Sequence, residues 1–167
     1  VSFIDALILA GCVKRPIRFV MYYKIFQIPM LSFIFKTANA IPIAGAKENP
    51  ELMRLAFEKI AVALKEDEVV CIFPEGKITE DGTLNRFKSG VMKIIDENPV
   101  PVIPLALRGL WGGFFSRSHG RAMSKIFPRG FFNRIELIAG DSIPADKVTK
   151  AVLQQSVQDL LEAEPAK

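Results

Sequence analysis

Two groups able to do chemistry flank a glycine in Phe73-Pro74-Glu75-Gly76-Lys77: a carboxylate at Glu75 and an ammonium at Lys77. They follow Val69-Val70-Cys71-Ile72-Phe73, an apolar run of the kind that forms a strand covered on both faces. Pro74 and Gly76 break the ladder, which places the pair at the carboxyl end of that strand, where open α/β sheets bind their ligands. A solvated turn has the same local pattern, so other stretches must decide. Asp5 opens a short apolar helix, where a carboxylate is also an ordinary N-cap. The single histidine, His119, lies in the loop Ser116-Arg117-Ser118-His119-Gly120, and a lone loop imidazole is usually a solvated surface group.

The elements that must position these groups read as strands alternating with helices. Asp5 to Gly11 is a short helix and Ile17 to Val20 a strand; Met21 to Thr37 is aromatic and amphipathic, broken at Pro29; Ala40 to Ile43 is a second strand. Asn49 is a good N-cap with Pro50 at the first helical position, and Met53, Phe57, Ile60 and Leu64 then recur as a core-facing stripe. Val69 to Phe73 is the expected interior strand, flanked by Val100 to Leu107 and by the strand near Ala40. Arg86 to Asp96 reads as a helix, Ile135 to Ile138 as a last strand, and Val148 to Leu161 as a closing helix. The pattern implies an α/β domain over residues 1–167, with a mixed, mainly parallel sheet flanked by helices.

The chain has 167 residues, 50% hydrophobic, with a mean hydropathy of +0.24. That is enough chain for one core without disulfides or metal. Its longest uncharged run, Ile25 to Phe35, is interrupted by Pro29 and too short to span a bilayer as a helix. The surplus apolar surface therefore belongs to core, a lipid-facing patch or a hydrophobic ligand site. The net charge of +4 is unevenly spread. Six basic residues and no acid lie between Asp5 and Glu48, and Arg108 to Arg134 is a second acid-free basic block. Such blocks, interleaved with aromatics, suggest an anionic partner, either lipid headgroups or nucleic acid, against the alternative of a solvated basic face. In the second block, Trp111, Phe114, Phe115 and Arg117 have the composition of an interfacial membrane contact, with packing under the sheet as the alternative. Cys12 and Cys71 have no metal-site spacing and read as small buried thiols.

Taken together and in order, Val1-Ser2-Phe3-Ile4-Asp5, Phe73-Pro74-Glu75-Gly76 and Val102-Ile103-Pro104-Leu105 resemble the motifs of the glycerolipid acyltransferase superfamily, with Phe87-Lys88-Ser89-Gly90 between the last two. The first family motif is Asn-His-x-Ser-x-x-Asp. Ser2 and Asp5 match its Ser and Asp, so its His falls just before Val1. The chain thus reads as an acyltransferase domain truncated at its N-terminus and, as a fragment, inactive. The family's second motif often ends in an Arg, whereas Ile41 to Lys47 offers only Lys47. After Glu-Gly this chain has Lys77-Ile78-Thr79 where many lysophosphatidic acid enzymes have Thr-Arg, and this is closer to the bacterial lysophosphatidylethanolamine branch, some members of which are fused to a lipid transporter.

The resemblance implies transfer of a fatty acyl group from a thioester to the free hydroxyl of a lysophospholipid. Asp5 would hold the motif imidazole in its correct tautomer, as the carboxylate does in a serine protease. Ser2, Lys47, Phe73, Pro74, Glu75, Gly76 and Lys77 would form the substrate site, with Lys77 meeting the acceptor's phosphate as a point charge. The co-substrate would be an acyl-CoA or acyl carrier protein thioester, with no bound cofactor or metal. The place of work would be the cytoplasmic face of the bacterial inner membrane. The competing readings are a non-catalytic lipid-binding relic of the fold and a basic nucleic-acid-binding module, which would account for the charge but not for Phe-Pro-Glu-Gly.

Overall fold

The fold is built around β1 (Ile17–Tyr22), which pairs in parallel with β2 (Ile41–Ile43) on one side and β3 (Val69–Ile72) on the other. The computed structural model describes residues 3–76, 83–109 and 135–163. Before β1 comes α1 (Phe3–Cys12); between β1 and β2 lie a 3-10 turn (Tyr23–Gln27) and α2 (Pro29–Thr37); α3 (Pro50–Lys65) leads into β3. After β3 come α4 (Gly90–Glu97), β4 (Leu105–Arg108), β5 (Glu136–Ala139) and α5 (Lys150–Glu162).

Strand alternation sends side chains to two covered faces. Phe19 and Met21 meet Ala6 and Leu9 of α1 and Leu31 and Phe35 of α2, with Cys71 and Phe73 in the same cluster. Val20 and Ile41, with Val70 and Ile72, point to the other face and meet Ala56, Phe57 and Ile60 of α3 and Ile94 of α4. A third cluster, centred on Phe87, Val91 and Ile95, joins α4 to Val148 and to Leu153 of α5. The expected α/β fold with a parallel sheet flanked by helices is therefore what forms, but among the described residues the antiparallel pairing is in a separate two-stranded sheet and not in a mixed one. Among the described residues no helix is long and apolar enough to cross a membrane.

The neighbours of β3 differ from expectation. The interior strand is β1, and among the described residues β3 pairs with β1 alone. Arg18 hid this in the sequence, because a charge inside a strand argues against a central position. Its guanidinium pairs with Glu68 at the foot of β3, donating to Oε1 at 2.8 Å, so the charge is matched at the sheet's edge. The run Val100 to Leu107 does not join this sheet either. Pro101 and Pro104 lack the N–H donors a ladder needs, so the strand begins only at Leu105 and pairs antiparallel with β5. An isolated antiparallel bridge between Val102 and Ile143 extends the pairing.

Helix limits follow local chemistry. Asn49 caps α3 by accepting from the Leu52 N–H at 2.9 Å, as expected of it. The same helix stops at Asp67, which takes φ of 57° while the Glu68 N–H returns to the Ala63 carbonyl at 3.0 Å. The helix expected from Arg86 begins four residues later, because tertiary partners claim the intervening donors: Phe87 N–H goes to Gln154 Oε1 at 3.2 Å and Lys88 N–H to the Pro74 carbonyl at 2.8 Å. In α5 the buried contact is Leu153, while Val152 is exposed.

Candidate active site

The turn after β3 is shaped by its own residues. Pro74 supplies no N–H, and the Gly76 N–H folds back to the Phe73 carbonyl at 3.1 Å. Gly76 has φ of 62°, a conformation that costs a side-chain-bearing residue roughly 1–2 kcal/mol. Glu75 is half-buried, and its Oε2 accepts from Asn85 twice, from the main-chain N–H at 2.8 Å and from the side-chain amide at 3.0 Å. A carboxylate so held has a fixed direction.

Lys88 closes the other side. Its main chain is tied to Pro74, and its ammonium stands 3.5 Å from the Gly76 carbonyl, long for a hydrogen bond. A Cβ on Gly76 would come within 2.7 Å of Lys88 Nζ, so the absence of a side chain at residue 76 makes room for the cation to lie across the turn. The structure thus brings Phe73, Pro74, Glu75 and Gly76 together with Asn85 and Lys88. Sequence reasoning gave no role to the last two. Lys88 was visible within Phe87-Lys88-Ser89-Gly90, but no spacing rule pointed to Asn85.

Asp5 lies in the first turn of α1 and is partly buried. Residues 13–16 connect α1 to β1. Ala6, the neighbour of Asp5, belongs to the same apolar cluster as Phe73, two residues before Glu75. Lys47 is exposed in the loop before α3. Ser2, Lys77, Trp111, Phe114, Phe115, Arg117 and His119 lie outside the described residues. Among the described residues a shallow cleft between α3 and α4, lined by Ala46, Met53, Phe57, Ala61, Lys93 and Glu97, shares no residue with the Glu75 turn.

A second polar group forms at the same edge of the sheet. Tyr22, the last residue of β1, donates its hydroxyl to Glu48 Oε1 at 2.6 Å; Tyr23 does so at 3.1 Å, and Lys24 Nζ lies 3.2 Å from the same oxygen. Hydrogen bonding from Tyr22 above all, and then from Lys24 and Tyr23, lowers the pKa of Glu48 against the opposing effect of desolvation. Hydrogen bonding with Tyr22, then with Glu48, raises that of Lys24. Neither tyrosine nor Glu48 stood out in the sequence.

With this geometry in view, comparison with known proteins is decisive at the level of family. A family model described as Acyltransferase matches residues 1–108. The chain belongs to the acyltransferase family. The match takes in Asp5, the whole parallel sheet, the Glu75 turn, Asn85 and Lys88. Over 108 residues this acyltransferase chain is 28% identical to the chloroplastic 1-acyl-sn-glycerol-3-phosphate acyltransferase BAT2 of Brassica napus, covering 65% of this chain and 30% of the relative. Over 88 residues it is 35% identical to the N-acylphosphatidylethanolamine synthase of Arabidopsis thaliana, covering 50% of this chain and 30% of that protein. It therefore spans about a third of the length of these curated relatives. The crystal structure of the 1-acyl-sn-glycerophosphate acyltransferase PlsC from Thermotoga maritima superposes with a TM-score of 0.65, over 99% of this chain and 65% of that one, at 19% identity. The fold of the acyltransferase chain is the PlsC fold.

Proposed function

We propose that the chain moves a fatty acyl group from a thioester donor to the free hydroxyl of a lysophospholipid. The observation that carries this reading is the Glu75 turn, held by Asn85 and crossed by Lys88, inside the segment that matches the acyltransferase family. The activities of the relatives, by their names a 1-acyl-sn-glycerol-3-phosphate acyltransferase and an N-acylphosphatidylethanolamine synthase, support the substrate class.

In the reaction, the acceptor oxygen bonds to the acyl carbon as the C–S bond breaks, and the hydroxyl proton passes through a base to the departing thiolate. Histidine is the usual base, and the described residues contain none, so in this reading the imidazole comes from outside them, with Asp5 setting its tautomer. Glu75 and Gly76 position the acceptor. Lys88, with Lys77 next to Gly76, supplies positive charge for its phosphate. Because both substrates carry long acyl chains, the work is done at a membrane surface. Phe33 at 74% and Ile28 at 50% exposure, both in or beside α2, are apolar groups suited to such contact.

The test is acceptor-dependent release of free thiol from acyl-CoA or an acyl carrier protein thioester by the full-length protein. Release that rises with added lysophospholipid supports the reading. Thioester cleavage indifferent to the acceptor contradicts it.

A further inference from the structure

Helix α5 (Lys150–Glu162) lies beyond residues 1–108, the segment that matches the acyltransferase family, yet it is bonded to the part of the chain that serves the Glu75 turn. The backbone from 84 to 89, just before α4, is irregular, and such a backbone must find hydrogen-bond partners outside itself. The Asn85 N–H donates to Glu75 Oε2 at 2.8 Å and the Lys88 N–H to the Pro74 carbonyl at 2.8 Å. Between them the Phe87 N–H donates to Gln154 Oε1 on α5 at 3.2 Å. Two of these bonds end on the turn, and the other anchors the same stretch to α5.

The side chain of Phe87 is fixed to the same helix. It is 4% exposed, in a cluster with Val91 and Ile95 of α4, with Val148, and with Leu153, which immediately precedes Gln154. Leu84 packs against that cluster as well. Gln154 is itself only partly exposed, so its oxygen meets Phe87 where water competes less. The next residue, Gln155, is exposed, and its side-chain amide stays within α5, donating to Asp159 Oδ1 at 2.7 Å. Of two adjacent glutamines, one reaches the stretch that carries Asn85 and Lys88, and the other bonds within its own helix.

We propose that α5 is a positioning element of the acceptor site and that Gln154 is its positioning residue. By holding Phe87, Gln154 keeps Asn85, two residues before it, and Lys88, one residue after it, at their observed distances from Glu75 and Gly76. Gln154 itself touches neither substrate. A residue outside the family-matched segment thereby governs use of the acceptor and not of the thioester. This rests on the reading in which Glu75 and Lys88 meet the acceptor.

Gln154→Met keeps the length of the side chain but removes the accepting oxygen, whereas Gln154→Glu keeps an acceptor there. In steady-state acylation by the full-length protein, Gln154→Met should lower kcat/KM for the lysophospholipid roughly 3- to 10-fold, as expected for one neutral hydrogen bond, and leave the KM for the thioester unchanged. Gln154→Glu and Gln155→Ala should each stay within about twofold of the parent. In an Asn85→Ala/Lys88→Ala background the further loss from Gln154→Met should shrink to under about twofold, because Gln154 acts through those two side chains. A general structural defect would instead affect both substrates alike and persist in that background, and that result would overturn the proposal. Independently of turnover, amide hydrogen exchange in full-length Gln154→Met should be about tenfold faster or more at Asn85, Phe87 and Lys88, and unchanged at Ile60 of α3. Parental exchange at Phe87, acceleration shared by Ile60, or a parental kcat/KM for the acceptor would overturn the proposal even where acyl transfer is found. Faster exchange confined to these three amides, in a protein that acylates no lysophospholipid, would support the hold of α5 on the turn and tell instead against the acyl-transfer reading.

Discussion

Among the described residues Glu75 accepts two hydrogen bonds, both from Asn85, through the main-chain N–H and the side-chain amide, and both end on Oε2. The side-chain bond can be removed without touching the main-chain one. Asn85→Ala should therefore leave the turn formed but let the carboxylate rotate. Hydrogen bonds to charged groups are worth about 1.5–3 kcal/mol, so acyl-transfer kcat/KM should fall roughly 10- to 150-fold. Steady-state kinetics on a variant with unchanged circular dichroism measures this, and a loss under about threefold would show that Asn85 does not orient Glu75.

Gly76→Ala should destabilise the protein through its backbone. The positive φ costs roughly 1–2 kcal/mol, which for a domain of this size is about 2–8 °C in Tm. The added methyl also meets Lys88, but at the mobile end of that side chain, so steric cost is secondary. A thermal melt of Gly76→Ala beside Gly76→Ala/Lys88→Ala tells the two apart. Removing Lys88 should restore little of the lost Tm, and full recovery would assign the loss to the clash.

Much of this was legible in the chain itself, and the failures share a cause. Asn49 as a cap and the stripe Phe57–Ile60 on α3 came directly from spacing, because capping and helical period are local. The abrupt end of β3 at Pro-Glu-Gly was local too. What stayed hidden depended on partners distant in sequence: Arg18 in the central strand is tolerable only because Glu68 meets it, and Phe87 and Lys88 stay out of α4 only because Gln154 and Pro74 take their N–H groups. The Glu48 group escaped notice for the same reason, its four members being separated by 24 to 26 positions along the chain except for the Tyr22–Lys24 run.

Ile60 is fully buried between β1 and α3, with 0% of its surface exposed. Truncation to Ala should cost about 2–5 kcal/mol in urea unfolding, while Val62→Ala on the same helix, at 53% exposure, should stay within about 0.5 kcal/mol. Similar midpoints for the two variants would mean that α3 is not packed on the sheet by this face.

The two thiols should behave differently. Cys12 is exposed, whereas burial pushes the Cys71 thiol up to about 12, its sulfur being shielded beneath α1 even though the residue as a whole is only partly covered. A raised thiol pKa in the fold means that stability is full below the unfolded value, near 8.5, and declines as pH rises through 12. At pH 8 a thiol reagent should label Cys12 quickly and Cys71 only on unfolding. Replacing Cys71 with Ala should also flatten the fall in Tm above about pH 9. Rapid labelling of both cysteines in the native protein would contradict the packing of β3.

The central claim is that the Glu75 turn and Asp5 serve acyl transfer to a lysophospholipid. Mass spectrometry of products formed by the full-length protein, given a fatty acyl thioester and a panel of lysophospholipids, tests it most directly. The account predicts a diacyl phospholipid whose added mass equals the donor's acyl group, and a loss of about 100-fold or more in its rate of formation in folded Asp5→Asn and Glu75→Ala variants. A product panel with no acylated phospholipid, or variants that acylate at the parent rate, would contradict it.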